Sequence, residues 1–531
     1  VDADRAALTA RLGRAATVAV PLGFLTVFFL WPLAAILERS LVVDGRLDLP
    51  VDVLGERRTL EVLWFTTWQA VVSTVLTVVA ALPLTWALAR FSFPGRRLVE
   101  ALVLVPFVLP TIVVATAMLA VLPAGLEQTV WAILIAHVFF NIAVVVLVVG
   151  TFWGALDDRL WDAAAALGAG PVRRLVAVTA PVLAPAIAAA GAIVLLFCFT
   201  SFGVVVVLGG PRYATLEVEI YNQAARFYDL RTAAVLALLQ LAAVAAALVA
   251  TGALERRLGS ELATRVTPRP RPHGGRGALV AVSVAGTLAL LFVPLAALVE
   301  RALRVGDGHG LSHFRTLADE TPALLVAPWH AVVNSLVFAA AATMIALVVG
   351  LPAAALVARG RRTVGALAML PLGASAAMLG FGFLLAFDSP PLALRSSPWI
   401  VPVAQALVAI PFVVRTVAPR LRAIDVGLRE AAAVLGAAPA RVRREIILPL
   451  VARAVAAAAA LAFAVSLGEF GAALFLARAD WPTLPVAIFR FLSRPGAENV
   501  GQAMALSVVL MALTVVVALA VGRAVPRGWS R

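Results

Sequence analysis

Residues 162–171 read DAAAALGAGP, and residues 430–439 read EAAAVLGAAP. An interval of 268 residues separates them, and the same interval carries SFG at 201–203 onto EFG at 469–471 and TLEVEIY at 215–221 onto TLPVAIF at 483–489. Nearer the start, WPLAAILERSL at 31–41 returns as VPLAALVERAL at 293–303, 262 residues on. Self-similarity at a nearly fixed offset over half a chain marks an internal duplication. The 531 residues are therefore read as two related repeats, 1–254 and 278–531. They are joined by 255–277, whose RVTPRPRPHGGRG at 265–277 suits an exposed connection with little packing of its own.

Working outward from the repeat, the composition fixes the solvent. Hydrophobic residues make up 62% of the chain and charged residues 14%, with a mean hydropathy of +1.00; a soluble domain carries about 25% charge. Apolar runs long enough to cross a bilayer as helices occur at about 15–37, 64–88, 100–122, 128–152, 183–207, 232–254, 278–299, 331–357, 364–387, 399–419, 452–475 and 501–523. The first follows Arg5, Arg11 and Arg14 but is too long for a signal peptide, and its continuation recurs in the second repeat. The expected fold is an all-α integral membrane protein of about twelve spans. Six spans per repeat is an even number, so the two six-helix repeats are parallel, related by an axis along the membrane normal.

All 43 basic residues are arginine. Without lysine the chain cannot build a conventional phosphate-binding loop or form a Schiff base. Its one cysteine, Cys198, excludes an internal disulfide and reads as a small buried hydrophobe. The net charge of +14 follows topology: with the N-terminus cytoplasmic, 29 of the arginines and 11 acids fall on the cytoplasmic side, against 14 arginines and 18 acids outside. The positive-inside rule then puts both termini in the cytoplasm, and the basic excess gives no argument for nucleic acid. No G-x-S-x-G or H-E-x-x-H context occurs, and no cluster has metal-ligand spacing, so no catalytic or metal site is expected.

The segments at about 156–181 and 424–449 lie between the fourth and fifth spans of each repeat, and are amphipathic and too polar to cross the membrane. In the first, Asp162, Ala163 and Ala164 belong to a short helix ending near Gly168, and Pro171 opens the next helix. In the second, Glu430, Ala431 and Ala432 lead to Gly436 and Pro439. Glycine permits a left-handed stop and proline suits a first helical turn, so each segment predicts a helix-turn-helix knob with small alanines and a charged rim.

E-A-A, three residues, G, and a proline thirteen residues after the glycine resembles the EAA loop of ABC-importer permeases. The second copy matches at Glu430, Ala431, Ala432, Gly436, Leu448 and Pro449; the first matches at Ala163, Ala164, Gly168 and Pro181 but has Asp162 for glutamate and Ala180 for leucine. The resemblance covers essentially the whole chain, as a fused six-plus-six permease. It implies that the loops are coupling helices, each docked on one of two cytoplasmic ATP-binding subunits, a homodimer carrying the ATP and Mg, with no cofactor on this chain. It also implies an extracytoplasmic substrate-binding protein and a place in the bacterial plasma membrane. AHVFFN at 136–141, TSFGVVVVLGGPRYATLEVEIY at 200–221 and QALVAIPFVVR at 405–415 resemble the thiamine and ferric-iron importer group, although Ala143 and Leu147 stand where the second repeat has Pro411 and Arg415. This narrower resemblance implies a thiamine-like cation or ferric iron as substrate.

Polar groups at membrane depth are costly and face an interior or a watery cavity. His137, Asn141, Thr200, Ser201, Gln405, Ser466 and Glu469 are the candidates for a translocation path. His137 and Gln405 are repeat equivalents, as are Ser201 and Glu469, and such pairs are expected to face one another across the pseudo-twofold axis. Interhelical hydrogen bonding is the competing role for each. A twelve-span secondary transporter driven by an ion gradient is the alternative for the whole chain, hinted at by FPGRR at 93–97. The paired knobs argue against it, because such a carrier has no use for two equivalent docking elements.

Overall fold

The computed structural model describes residues 17–156, 158–258 and 269–524. Arg5, Arg11 and Arg14, and residues 259–268 of the joint, lie outside the described residues. The first repeat holds α1 (Thr17–Leu41), α2 (Arg57–Arg90), α3 (Arg96–Val108), α4 (Thr111–Val121) and α5 (Val130–Gly154). It continues with α6 (Asp158–Ala166), α7 (Pro171–Phe199), α8 (Gly203–Leu208), α9 (Leu216–Tyr221) and α10 (Leu230–Leu258). The second repeat follows the same order: α11 (Gly275–Leu303), α12 (Trp329–Ala358), α13 (Arg362–Gly373), α14 (Ala376–Ala386) and α15 (Ile400–Arg422). After these come α16 (Val426–Val434), α17 (Ala440–Gly468), α18 (Gly471–Leu476), α19 (Leu484–Leu492) and α20 (Ala497–Ala524).

Even the small features recur. A two-stranded antiparallel hairpin, β1 (Val42–Val43) with β2 (Arg46–Leu47), follows α1, and β3 (Arg304–Val305) with β4 (Gly308–His309) follows α11. Asp44 and Gly45 hold φ of 50° and 74°, the left-handed pair that a two-residue hairpin turn requires. Within α7 and α17, one π-type turn each, at Leu175–Thr179 and Arg443–Ile447, falls 268 residues apart.

Among the described residues, ten helices are long and apolar enough to cross a membrane, or up to twelve if each of two bent pairs counts as one span. The expected count of about twelve spans is met when each bent pair counts as one, and the bends fall at 100–122 and 364–387. There α3 meets α4 at 102°, and α13 meets α14 at 100°. Leu109 precedes a proline and is driven out of the helical region (ψ 142°), and Pro110 is itself extended. In the second pair Ala374 and Ser375 are extended, and the Ser375 hydroxyl accepts the Met378 N–H at 3.1 Å, a side-chain cap that starts a new helix. The spans read at 183–207 and 452–475 are also interrupted: α7 ends at Phe199 and α17 at Gly468, and each is followed by a separate six-residue helix.

The chain forms two compact units. One comprises Val51–Glu219 and Leu239–Arg304, the other the chain up to Pro50, Ile220–Leu238 and the chain from Val305 onward. Their limits do not follow the repeats: α11, from the second repeat, belongs to the unit holding α2 to α8, and α1 belongs to the unit holding α12 to α20. In the former, α2, α5 and α7 pack through small, fully buried residues such as Ala70, Ala81, Ala132, Ala136 and Ala190. In the latter α12, α15 and α17 do the same through Ala342, Ala346, Ala406, Ala409 and Ala458. Small side chains let helices approach closely where lipid offers no hydrophobic drive. Gly350 of α12 shows how closely: a Cβ there would stand 2.8 Å from Val413 Cγ1 on α15.

Candidate functional site

The two loop segments fold as the same knob. In the first, α6 ends in a left-handed glycine, Gly168 at φ 78°, and α7 restarts at Pro171. The Ala169 N–H donates to Ala164 O at 3.0 Å and the Gly168 N–H to Ala165 O at 2.9 Å. In the second, Gly436 also has φ 78°, and the Ala437 and Gly436 N–H groups donate to Ala432 O and Ala433 O at 2.9 and 3.0 Å. This is the Schellman arrangement, which satisfies the last carbonyls of a short helix and reverses the chain. No heavy atom lies within 4 Å of a Cβ built at either glycine, so positive φ and not crowding selects the residue.

Asp162, Ala163 and Gly168 are exposed and Ala164 is half-buried; Glu430, Ala431 and Gly436 are exposed and Ala432 is buried. The first knob is braced by Arg174, whose guanidinium lies 4.8 Å from the Trp161 ring centre, and the second by an Arg441–Glu445 ion pair at 3.0 Å. The apolar residues at the tips were not singled out from the sequence. Leu167 is 88% exposed, and its repeat equivalent Leu435 is 86% exposed beside Val434 at 87%. A leucine immediately before the terminating glycine in both copies was the signal. Both leucines lie outside the apolar spans, each at the tip of a braced turn.

Of the membrane-depth residues, the structure gathers His137, Asn141 and Ser201 into one buried chain. Ser73 Oγ on α2 lies 2.9 Å from His137 Nδ1 on α5, and His137 Nε2 lies 2.9 Å from Ser201 Oγ at the break after α7. Asn141 Nδ2 donates to His137 O at 2.9 Å and to Cys198 Sγ at 3.5 Å, and Gln69 Nε2 donates to Cys198 O at 3.0 Å. Asn141 Oδ1 and Gln69 Oε1 are buried without a hydrogen-bond partner among the described residues. Thr200 bonds only its own helix, through Leu196 O.

In the other unit, Glu469 is buried at the end of α17, and its two oxygens accept the Ala472 and Ala473 N–H groups at 2.7 and 3.0 Å. It thereby caps α18. Gln405 and Ser466 are buried, and Gln405 Oε1 and Ser466 Oγ have no hydrogen-bond partner among the described residues. Two further buried acids escaped the sequence reading. Glu217 accepts from Gln240 Nε2 at 2.8 Å, and Glu219 pairs with Arg58 at 2.7 Å. Both belong to TLEVEIY, and the repeat has Pro485 and Ala487 in their places, so comparing the copies would have exposed them. Among the described residues, no group of three His, Cys, Asp or Glu side chains could hold a metal ion.

Comparison with known proteins identifies the architecture. The family described as binding-protein-dependent transport system inner membrane component matches residues 62–260. The thiamine transport system permease protein of Brucella suis is 28% identical over 487 residues, covering 87% of each chain. That of Escherichia coli is 28% identical over 484 residues, covering 85% of this chain and 86% of its own. A putative 2-aminoethylphosphonate transport system permease protein of Salmonella typhimurium is 32% identical over 263 residues, which are 48% of this chain but 96% of that one. The chain therefore belongs to the binding-protein-dependent transport system inner membrane components, the multi-pass permeases of ABC importers.

Proposed function

We propose that the chain is a fused permease, two six-helix repeats in one polypeptide, that moves a thiamine-like organic cation into the cytoplasm at the expense of ATP hydrolysed elsewhere. The observation that carries the reading is the pair of Schellman-capped knobs with bare leucine tips. Each is a rigid docking element for one of two ATP-binding subunits, a homodimer, and closure of those subunits on ATP moves the knobs and drives alternating access between the repeats. Asp162, Ala163, Ala164 and Gly168 form the first contact, and Glu430, Ala431, Ala432 and Gly436 the second. Both termini are cytoplasmic, on the side of the knobs, and an extracytoplasmic binding protein delivers substrate to the opposite loops.

The thiamine-like substrate rests on relatives that match nearly the full length of the chain and are named for thiamine transport. An ion-driven carrier is not favoured, because the family match and the duplicated knobs both point to ATP-coupled partners. His137, Asn141, Thr200, Ser201, Gln405, Ser466 and Glu469 are retained as path residues. Of these His137, Asn141 and Ser201 also lock one helix to the next, and Glu469 also caps α18. The test is uptake of radiolabelled thiamine by cells expressing the chain with an ATP-binding subunit and a binding protein. Uptake that ends when the chain is deleted supports the reading; ATP-dependent uptake of ferric complexes but not thiamine overturns the substrate.

A further inference from the structure

The joint between the repeats does not simply leave the membrane surface: its last residues are strapped across the ends of two spans. Arg269 Nε donates to Ala89 O at 2.9 Å, and the Ser92 N–H donates to Pro270 O at 3.0 Å, both at the end of α2. A Cβ at Gly154, the last residue of α5, would stand 3.0 Å from an Arg269 guanidinium nitrogen, so glycine leaves room for the strap. Behind it, Ala87, Phe91 and Val280 form a buried cluster that holds the start of α11 against the end of α2. The first knob begins a few residues after Gly154, which puts the strap on the knob's side of the membrane.

In front of the strap opens a cleft of about 670 Å³, lined by the basic residues Arg271, His273 and Arg276 together with Phe91 and Leu279. Arg271 and Arg276 are exposed and have no hydrogen-bond or ion-pair partner among the described residues. Glu100, on α3, is engaged by Arg96 at 2.7 Å. Leu279 and Val282 continue from the cleft along α11 as exposed apolar residues. Basic groups with free donors beside an apolar strip reproduce the two halves of an amphiphile, an anionic head and a hydrocarbon tail. Arginine forks match phosphate oxygens in pairs, and basic pockets at this depth of the bilayer hold anionic headgroups.

We propose that this cleft binds the headgroup phosphate of an anionic phospholipid, with Arg271 and Arg276 on the phosphate oxygens and an acyl chain along Leu279 and Val282. The proposal rests on the chain being membrane-embedded, but not on what it transports. A bound headgroup fastens the strap to the ends of α2 and α5 at the base of the first knob, so the lipid becomes part of the support of that docking element.

The test uses the full-length chain in detergent, with native mass spectrometry after addition of phosphatidylglycerol or phosphatidylcholine of matched acyl chains. The chain should retain phosphatidylglycerol about fivefold or more over phosphatidylcholine. Arg271→Gln with Arg276→Gln should abolish that preference, Arg271→Lys with Arg276→Lys should keep part of it, and Arg39→Gln with Arg46→Gln, which removes two exposed arginines elsewhere, should leave it intact. An unchanged unfolding midpoint shows that the glutamine variant is folded. Preference that survives in the glutamine variant, or is lost equally in the Arg39 and Arg46 variant, overturns the site. Inorganic pyrophosphate binding with the same arginine dependence while the lipids show none would reassign it to a soluble phosphate. Because the readout is lipid retention and not uptake, a failure here is separate from a failure of the transport reading.

Discussion

Gly436 and His137 represent two ways in which one side chain fixes this structure. Gly436 matters for its φ of 78°, with open space around its Cβ position. Valine there is disfavoured by roughly 1–2 kcal/mol of backbone strain, and the second knob would turn in another direction while the spans remain intact. Gly436→Val is expected to insert normally and to abolish stimulated ATP hydrolysis in the assembled complex, measured as phosphate release in proteoliposomes; unchanged hydrolysis would count against a coupling role. His137 matters for its two partners. His137→Ala leaves the Ser73 and Ser201 hydroxyls facing a buried void, and the expected loss of about 1–3 kcal/mol should appear as a lower unfolding midpoint in detergent. Thr200→Ala, which removes only a bond within its own helix, should leave the midpoint nearly unchanged; equal effects from the two would deny the buried chain its role.

At the scale of elements, the bends were the least legible feature. Residues 101–122 and 364–387 carry no charged residue, and hydropathy measures how much of a segment prefers lipid but not its direction. Proline alone does not mark the break, since Pro83 and Pro352 sit inside α2 and α12 without interrupting them. What separates Pro110 is the extended residue before it, and in the second pair the decisive group is the Ser375 cap. Ser375→Ala should cost about 1 kcal/mol, measurable by denaturation in mixed micelles; no change would mean that packing and not the cap holds the bend. The knobs were legible because glycine, proline and alanine carry conformational meaning position by position. The leucine tips were not, because an apolar residue in a polar loop reads as core until its exposure is known.

For the whole molecule, the duplication was visible as an offset, and the same interval separates one pair of π-type turns in the structure, while a two-stranded hairpin follows each of α1 and α11. The compact units were not visible, because the assignment of α1 and α11 depends on contacts between residues hundreds of positions apart. The central claim, two equivalent docking elements on one chain, is a claim about stoichiometry. The direct measurement is the native mass of the complex purified through a tag on this chain, with ATP-binding subunits coexpressed, for the unaltered chain and for Leu167→Glu with Leu435→Glu. Both leucines are exposed, so the substitutions should leave the chain itself within about 0.5 kcal/mol of its original stability. Two ATP-binding subunits per unaltered chain, and their loss from the folded double variant, is the predicted result. A chain that purifies alone and accumulates substrate under a proton gradient would contradict it.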